Sequence, residues 1–337
     1  MLEHIPIDDC NLHTLPAGQK ACYWLDLFPT LGGEVQLPAL VVTGAQAGPV
    51  LLAVAAVHGN EYEGQEAVRA VFERLDPAQL RGTYCAIPVC NVFAYEARSR
   101  ATPPYLDSLN LARVFPGDPH GSPTQRLAHH LMRFVTRNLG ADDLFVDFHS
   151  GSEEMNYLPL IGYRDIASPG RAASEAAARH FGGAMLWLVD DGVGMFNAET
   201  SRCGIPTVGT ETTGQAGCRP EDVAIFADGL WNLLRFKEML PGGSPPRDDA
   251  APCRGISVVA TATGFLRLAH QPGDPVREGE RLGSIIDPFG DTLEELHAPH
   301  DGIVWMRRTC PATRAGEVAC ILGVPLSAIK SAAPITQ

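Results

Sequence analysis

The run PVLLAVAAV, Pro49–Val57, carries no polar side chain and stops abruptly at HGNEYEG. Nine residues are far short of a membrane span, and so short a run without polar alternation reads as a strand buried on both faces. TYCAIPV, DLFVDFHS, AMLWLV and IPTVGTET are further short apolar runs. Between them lie stretches with helical spacing: EGQEAVRAVFERL, TQRLAHHLMRFVTRNL, RAASEAAARHF and EDVAIFADGLWNLLRFKEML. Strands alternating with helices predict βαβ units, and hence an α/β domain with a largely parallel sheet over residues 1–240.

PGGSPPRDDAAPCRG, residues 241–255, breaks this alternation with Pro, Gly and charge and is expected to be a linker. The remainder, 256–337, holds short apolar pieces separated by Gly, Pro and Asp, and predicts a small all-β C-terminal domain. Its phrases GDPVREGERLGSI and APHDGIV resemble the half-barrel pattern of biotinyl/lipoyl carriers. The hairpin that would present a carrier's modified lysine reads DPFGDTLEEL, with no lysine, so the expectation is a carrier-like fold that is not a carrier.

Polar residues follow three of the apolar runs directly: His58 and Glu61, His149, and Glu211. In open α/β sheets the ligand crevice lies beyond the carboxyl ends of the strands, where such residues converge. Two histidines and one carboxylate are the ligand set of a catalytic zinc that leaves one position to water. A lone strand-end histidine is more often a hydrogen-bonded structural residue; it is the combination that points to a metal. Asp147, two residues before His149 and on the same side of the strand, is placed to fix the imidazole tautomer, or is simply a polar strand end. Glu211, within GTETTG, would be the base for the attacking water; otherwise it is a solvated loop residue.

NVFAYEARSRATPPYLDSLNLARVFPGD, residues 91–118, is a long loop rich in Arg and Asn, and long ordered loops are usually functional. Arg98, Arg100 and Arg113 offer planar donors for a carboxylate or a developing oxyanion, with Asn91 and Asn110 as further polar contacts for substrate. There is no G-x-S-x-G elbow, no P-loop and no complete dinucleotide fingerprint.

Composition narrows the partners. A formal net charge of −13, with only Lys20, Lys237 and Lys330 among 26 basic residues, disfavours a grip on nucleic acid. Nine scattered cysteines without a C-x-x-C pair argue against a disulfide framework or a thiolate zinc site and suit a reducing cytoplasm. The start MLEHIPIDD has acids where a signal peptide would carry basic residues. The expectation is a cytoplasmic protein with a small-molecule partner and no membrane or nucleic-acid partner; a homo-oligomer is compatible with all of this.

HGNEYEG, NVFAYEARSR with LDSLNLARVFPGD, DFHSG and GTETTG, in that order, resemble the succinylglutamate desuccinylase/aspartoacylase family, relatives of the zinc carboxypeptidases. The resemblance implies a zinc-carboxypeptidase-like mixed, largely parallel sheet, and one Zn2+ per chain held by His58, Glu61 and His149. It further implies Glu211 as general base and proton shuttle, Arg98 or Arg100 polarising the scissile carbonyl, and Arg113 holding a substrate carboxylate. The family usually reads Asn-Arg where this chain has Ala112-Arg113, which removes a carboxylate donor and leaves Asn110 as a displaced substitute. The expected activity is zinc-dependent hydrolysis of an amide, removing a small acyl group from an N-acyl amino acid or related metabolite. The rival readings are a metallocarboxypeptidase acting on peptide C-termini and a noncatalytic binding protein with a carrier-like β-module.

Overall fold

A computed structural model describes residues 3–247 and 250–329. Asp248 and Asp249 of the predicted linker and residues 330–337 of the predicted C-terminal domain lie outside the described residues. The chain opens with β1 (Glu3–Pro6) and a long antiparallel hairpin, β2 (Gln19–Thr30) and β3 (Gly33–Thr43), elements that the βαβ reading does not include. Then follow β4 (Gln46–Val54), α1 (Glu63–Arg74), β5 (Arg81–Ile87), α2 (Val92–Glu96), α3 (Pro123–Asn138) and β6 (Leu144–Asp147). Next come β7 (Met155–Tyr157), β8 (Leu160–Arg164), α4 (Arg171–Phe181), β9 (Met185–Val189), α5 (Phe196–Arg202), β10 (Thr207–Glu211) and α6 (Pro220–Phe236).

The unbroken apolar run of β4 has a direct explanation in packing. Val50, Leu52 and Val54 enter the core under α3 and α5, while Leu51 and Ala53 enter the opposite core under α1, α4 and α6. Period-two alternation therefore carries two apolar faces instead of one. The helices show complementary single stripes: α3 buries Leu127, Leu131 and Val135 and starts with Pro123 in its first turn, where a missing N–H costs nothing.

The strand order is β1-β2-β3-β5-β4-β6-β10-β8-β9, with β5, β4, β6 and β10 mutually parallel and β8 antiparallel to β10. The chain leaves β4 towards β5 on one side and resumes with β6 on the other, so the β4/β6 boundary is a topological switch point. Val54 pairs with Asp147 and Asp147 with Gly209, which sets the carboxyl ends of β4, β6 and β10 side by side.

After α6 the remaining strands are β11 (Cys253–Val259), β12 (Gly264–Leu268), β13 (Pro275–Val276), β14 (Arg281–Ile286), β15 (Thr292–His297), β16 (Gly302–Arg308), β17 (Ala312–Thr313) and β18 (Val318–Pro325). β11 begins three residues inside the stretch read as linker. β11, β18, β16 and β13 extend the main sheet, because β11 pairs with β9 at Cys253 and Trp187. A second sheet, β15-β14-β12-β17, shares with them a separate core that includes Leu266, Ile285, Val304 and Leu322. β7 pairs with β16, Tyr157 opposite Met306, so the C-terminal strands hold a short segment from the N-terminal part of the chain. Among the described residues no helix is long and apolar enough to cross a membrane.

Candidate active site

His58 and Glu61 lie in the turn between β4 and α1, His149 two residues beyond β6, and Glu211 ends β10. The turn is tight because Gly59 sits against α2: a Cβ there would lie 2.0 Å from the Ala94 carbonyl carbon. Glu61 is the hub of the arrangement. Its Oε1 is 2.8 Å from His58 Nδ1 and its Oε2 is 2.9 Å from His149 Nδ1. One ligand atom from each of these three residues falls within 4.8 Å of the others, and His58 and Glu61 are only 2% and 3% exposed.

The outer contacts orient this cluster. His149 Nε2 lies 3.3 Å from Asp147 Oδ2 and His58 Nε2 3.2 Å from Asn110 Oδ1, which leaves both Nδ1 atoms facing the same carboxylate. Arg100 Nη1 donates to Glu61 Oε1 at 2.9 Å and to Ser152 Oγ at 2.7 Å, and the Ser152 hydroxyl donates to Glu61 Oε1 at 2.7 Å. Ser150 N–H reaches Glu61 Oε2 at 3.3 Å.

Electrostatics are consistent with a cation site. Burial pushes His58 down to about 4, only partly offset by Glu61, so its imidazole is neutral, the form in which histidine ligates a metal. Burial also opposes the charged form of His149, but Asp147 and Glu61 outweigh it and hold His149 well above its ordinary 6.5. For Glu61, burial works against the carboxylate and the two histidines prevail, keeping it well below 4.5. The imidazolium proton of His149 thus supplies positive charge between two carboxylates, where a divalent ion would supply it instead. Two imidazole nitrogens and a carboxylate are donors suited to zinc, and they fit one ion.

A cavity of about 390 Å³ opens beside the cluster, lined by His58, His149, Arg100, Arg113 and Glu211, among others. Its floor is a row across the sheet: Asp147 on β6 pairs with Gly209 on β10, Gly209 with Gly162 on β8, and Gly162 with Trp187 on β9. The two adjacent glycines let neighbouring side chains close over the floor: a Cβ on Gly209 would lie 2.8 Å from Asn197 Nδ2 and one on Gly162 2.6 Å from Val189 Cγ2. Tyr157 and Met155, delivered by β7, form a wall. Glu211 Oε2 is buried without a hydrogen-bond partner, and burial first, then Glu61, pushes its carboxyl up to about 8.

The loop 91–118 divides its candidates. Arg100 and Arg113 line the cavity, whereas Arg98 is an exposed residue at φ 51° and does not. Asn91 is fully buried as the N-cap of α2, accepting from Ala94 N and donating to Thr102 Oγ1, away from the cavity. Asn110 caps the 3-10 turn Leu111–Arg113 with the same oxygen that faces His58. Ala112 is 4% exposed and borders the cavity without offering a side-chain donor. Four residues that the sequence reading did not single out also shape the site: Ser152, Tyr157, Arg164 and Asn197. Of these only Ser152 carried a local signal, its place three residues after His149.

Residues 47–237, more than half of the chain, match the succinylglutamate desuccinylase/aspartoacylase catalytic domain. The chain belongs to the succinylglutamate desuccinylase/aspartoacylase family. It is 30% identical over 301 residues, 86% of each chain, to the N-alpha-acetyl-L-2,4-diaminobutyric acid deacetylase of Halomonas elongata. Among solved structures it resembles a succinylglutamate desuccinylase/aspartoacylase from Rhodobacter sphaeroides, with a TM-score of 0.82 and 28% identity, covering 94% of this chain and 98% of that one. It also resembles the product-bound ectoine utilization protein EutE (DoeB) of Ruegeria pomeroyi, with a TM-score of 0.80 and 27% identity, covering 92% and 98%. With its His/Glu cluster, this member of the family is a zinc-dependent amidohydrolase that acts on small N-acylated substrates.

Proposed function

We propose that the chain removes a small acyl group, in first place acetyl, from an N-acyl amino acid that carries a second amine, using one zinc ion per chain held by His58, Glu61 and His149. The observation that carries this reading is the convergence of those three ligands beside one small cavity that also holds a buried, unpartnered Glu211 oxygen. The diaminobutyric acid deacetylase activity in the name of the Halomonas relative supports the acetyl group and the amine. A cavity of about 390 Å³, walled by β7, suits a metabolite better than a peptide C-terminus.

Bound zinc supplies Lewis acidity and lowers the pKa of water to about 7. Glu211 accepts the proton of the attacking water and returns it to the departing amine; a carboxyl raised by burial is tuned for both halves of that transfer. Arg100, fixed on Glu61 and Ser152, turns its guanidinium to the acyl carbonyl and stabilises the charge that develops on its oxygen. Asp147 holds the His149 ring, and Arg113 takes the substrate carboxylate. In this reading residues 1–240 form the catalytic domain, and the stretch from 241 up to the start of β11 at Cys253 links it to a biotinyl/lipoyl-like module that lacks the carrier lysine. Its nine cysteines, all free, support a cytoplasmic location.

The test is a hydrolysis screen of zinc-loaded protein against N-acetyl, N-succinyl and N-formyl amino acids, N-acetyl diamino acids and C-terminal peptides. Release of amine from the N-acetyl diamino acids at the highest kcat/KM is the expected outcome. Cleavage of peptides alone would overturn the reading.

A further inference from the structure

Arg164 ends β8 at the far end of the cavity floor from Glu211, because β8 runs antiparallel to β10 and Glu211 pairs with Leu160 at its start. Its guanidinium lines the cavity and is rigidly held: Nε and Nη2 donate to Asn197 Oδ1 at 2.9 and 2.7 Å, and Nη1 donates to the Asp190 carbonyl at 2.7 Å. Nη2 also lies 2.9 Å from the Met195 sulfur. Every one of these partners is neutral.

The nearby acids are committed elsewhere. Asp190 pairs with Arg254, Asp191 with Arg202, and Asp147 with His149. Among the described residues no carboxylate comes within ion-pair distance of Arg164, and Arg113, which also lines the cavity, has none either. A guanidinium held in a cavity without a counter-charge is costly to the folded protein. Burial, with Arg113 adding to it, pushes Arg164 down to about 10 even though Asp147 counteracts. The backbone packs closely around this guanidinium and its brace. Gly192 packs so closely that a Cβ would lie 2.9 Å from Arg164 Nη1, and one on Gly209 would lie 2.8 Å from Asn197 Nδ2.

From this geometry we infer that Arg164, braced by Asn197, is the second donor for the substrate carboxylate, which seats between Arg113 and Arg164. The site supplies from β8 the donor that Ala112 cannot supply beside Arg113. Arg164 is then a specificity-determining residue: an anionic group on the amine half of the substrate is required for tight binding. This assignment rests on the N-acyl amino acid reading for the identity of the anion.

The experiment compares Arg164→Gln and Arg164→Lys with the wild-type enzyme on an N-acetyl amino acid and its carboxamide twin, alongside thermal-shift titrations of the same protein with the deacylated amino acid and its amide. Loss of a charge-assisted hydrogen bond to the carboxylate corresponds to about 10- to 100-fold. The ratio of kcat/KM for free acid over carboxamide should fall by that factor in Arg164→Gln, chiefly through KM, with Arg164→Lys intermediate. The melting shift given by the free amino acid should shrink in parallel. If both substrates lose equally, Arg164 only pins the 190–195 segment and the inference is overturned; an unchanged ratio overturns it as well. Should the wild-type enzyme cleave neither substrate, the deacylase reading fails separately, and the titrations still decide whether Arg164 distinguishes a carboxylate from its amide.

Discussion

Replacing Glu211 with Gln is expected to remove activity and at the same time stabilise the metal-free protein. The native carboxyl is raised from 4.5 to about 8, with burial the largest cause, then Glu61; Asp147 adds a little, while His149 and Arg100 pull the other way. At about 1.4 kcal/mol per pH unit, the ionised form costs up to about 5 kcal/mol, which water in the adjoining cavity reduces to about 2–4 kcal/mol. Because the folded pKa lies above the unfolded one, the fold favours the protonated carboxyl. That stabilisation is complete below about pH 4.5 and is lost as pH rises through about 8. Gln is a near-isosteric neutral stand-in with no charge to bury. Melts of chelated protein should therefore show Glu211→Gln within about 1–2 °C of wild type near pH 5 and about 3–8 °C above it near pH 9. The same variant should keep its zinc and lose about 10²- to 10⁴-fold in kcat. Equal melting temperatures across the whole pH range, or a gap that widens towards acid, would refute the account of Glu211 as a buried, destabilised base.

His149→Ala should lower bound zinc, measured by elemental analysis, from about one per chain to a small fraction, since it removes one of three ligands; full retention would contradict the ligand set. Arg100→Ala is expected to reduce kcat about 10²-fold or more, whereas Arg98→Ala should stay within about twofold of wild type in steady-state assays, because only Arg100 reaches Glu61 and the cavity. Asp147→Asn should weaken zinc affinity about 10- to 100-fold in chelator competition by releasing the His149 ring. Since Asp147 and Glu61 hold His149 protonated in the metal-free protein and burial keeps Glu211 protonated, zinc binding near pH 7 should release more than one proton, read in weakly buffered calorimetry, and fewer in Asp147→Asn.

How much of this was legible in the chain depends on how local each feature is. Buried strands announce themselves through continuous apolar runs, and a polar residue just past such a run is visible as an expense that needs a purpose. His58, Glu61, His149 and Glu211 stand out on those terms, and the α/β alternation with a β-rich tail follows from the same patterns. The hairpin β2–β3 escaped because it sits outside the strand–helix alternation. Within loop 91–118 the residue types suggested a substrate-binding segment but not which side chains turn inward. A positive φ at Arg98, a helix cap at Asn91 and a 3-10 turn at Asn110 made those choices. Arg164 was beyond any local reading. It reaches the cavity only because β8 enters the sheet antiparallel to β10 and presents its end, rather than its start, to the far side of a glycine floor. Strand direction and neighbour choice are set by which distant faces bury each other, so the sequence by itself determined where strands end in costly polar residues, and the tertiary structure decided which of them, and which unannounced arginine, share one cavity.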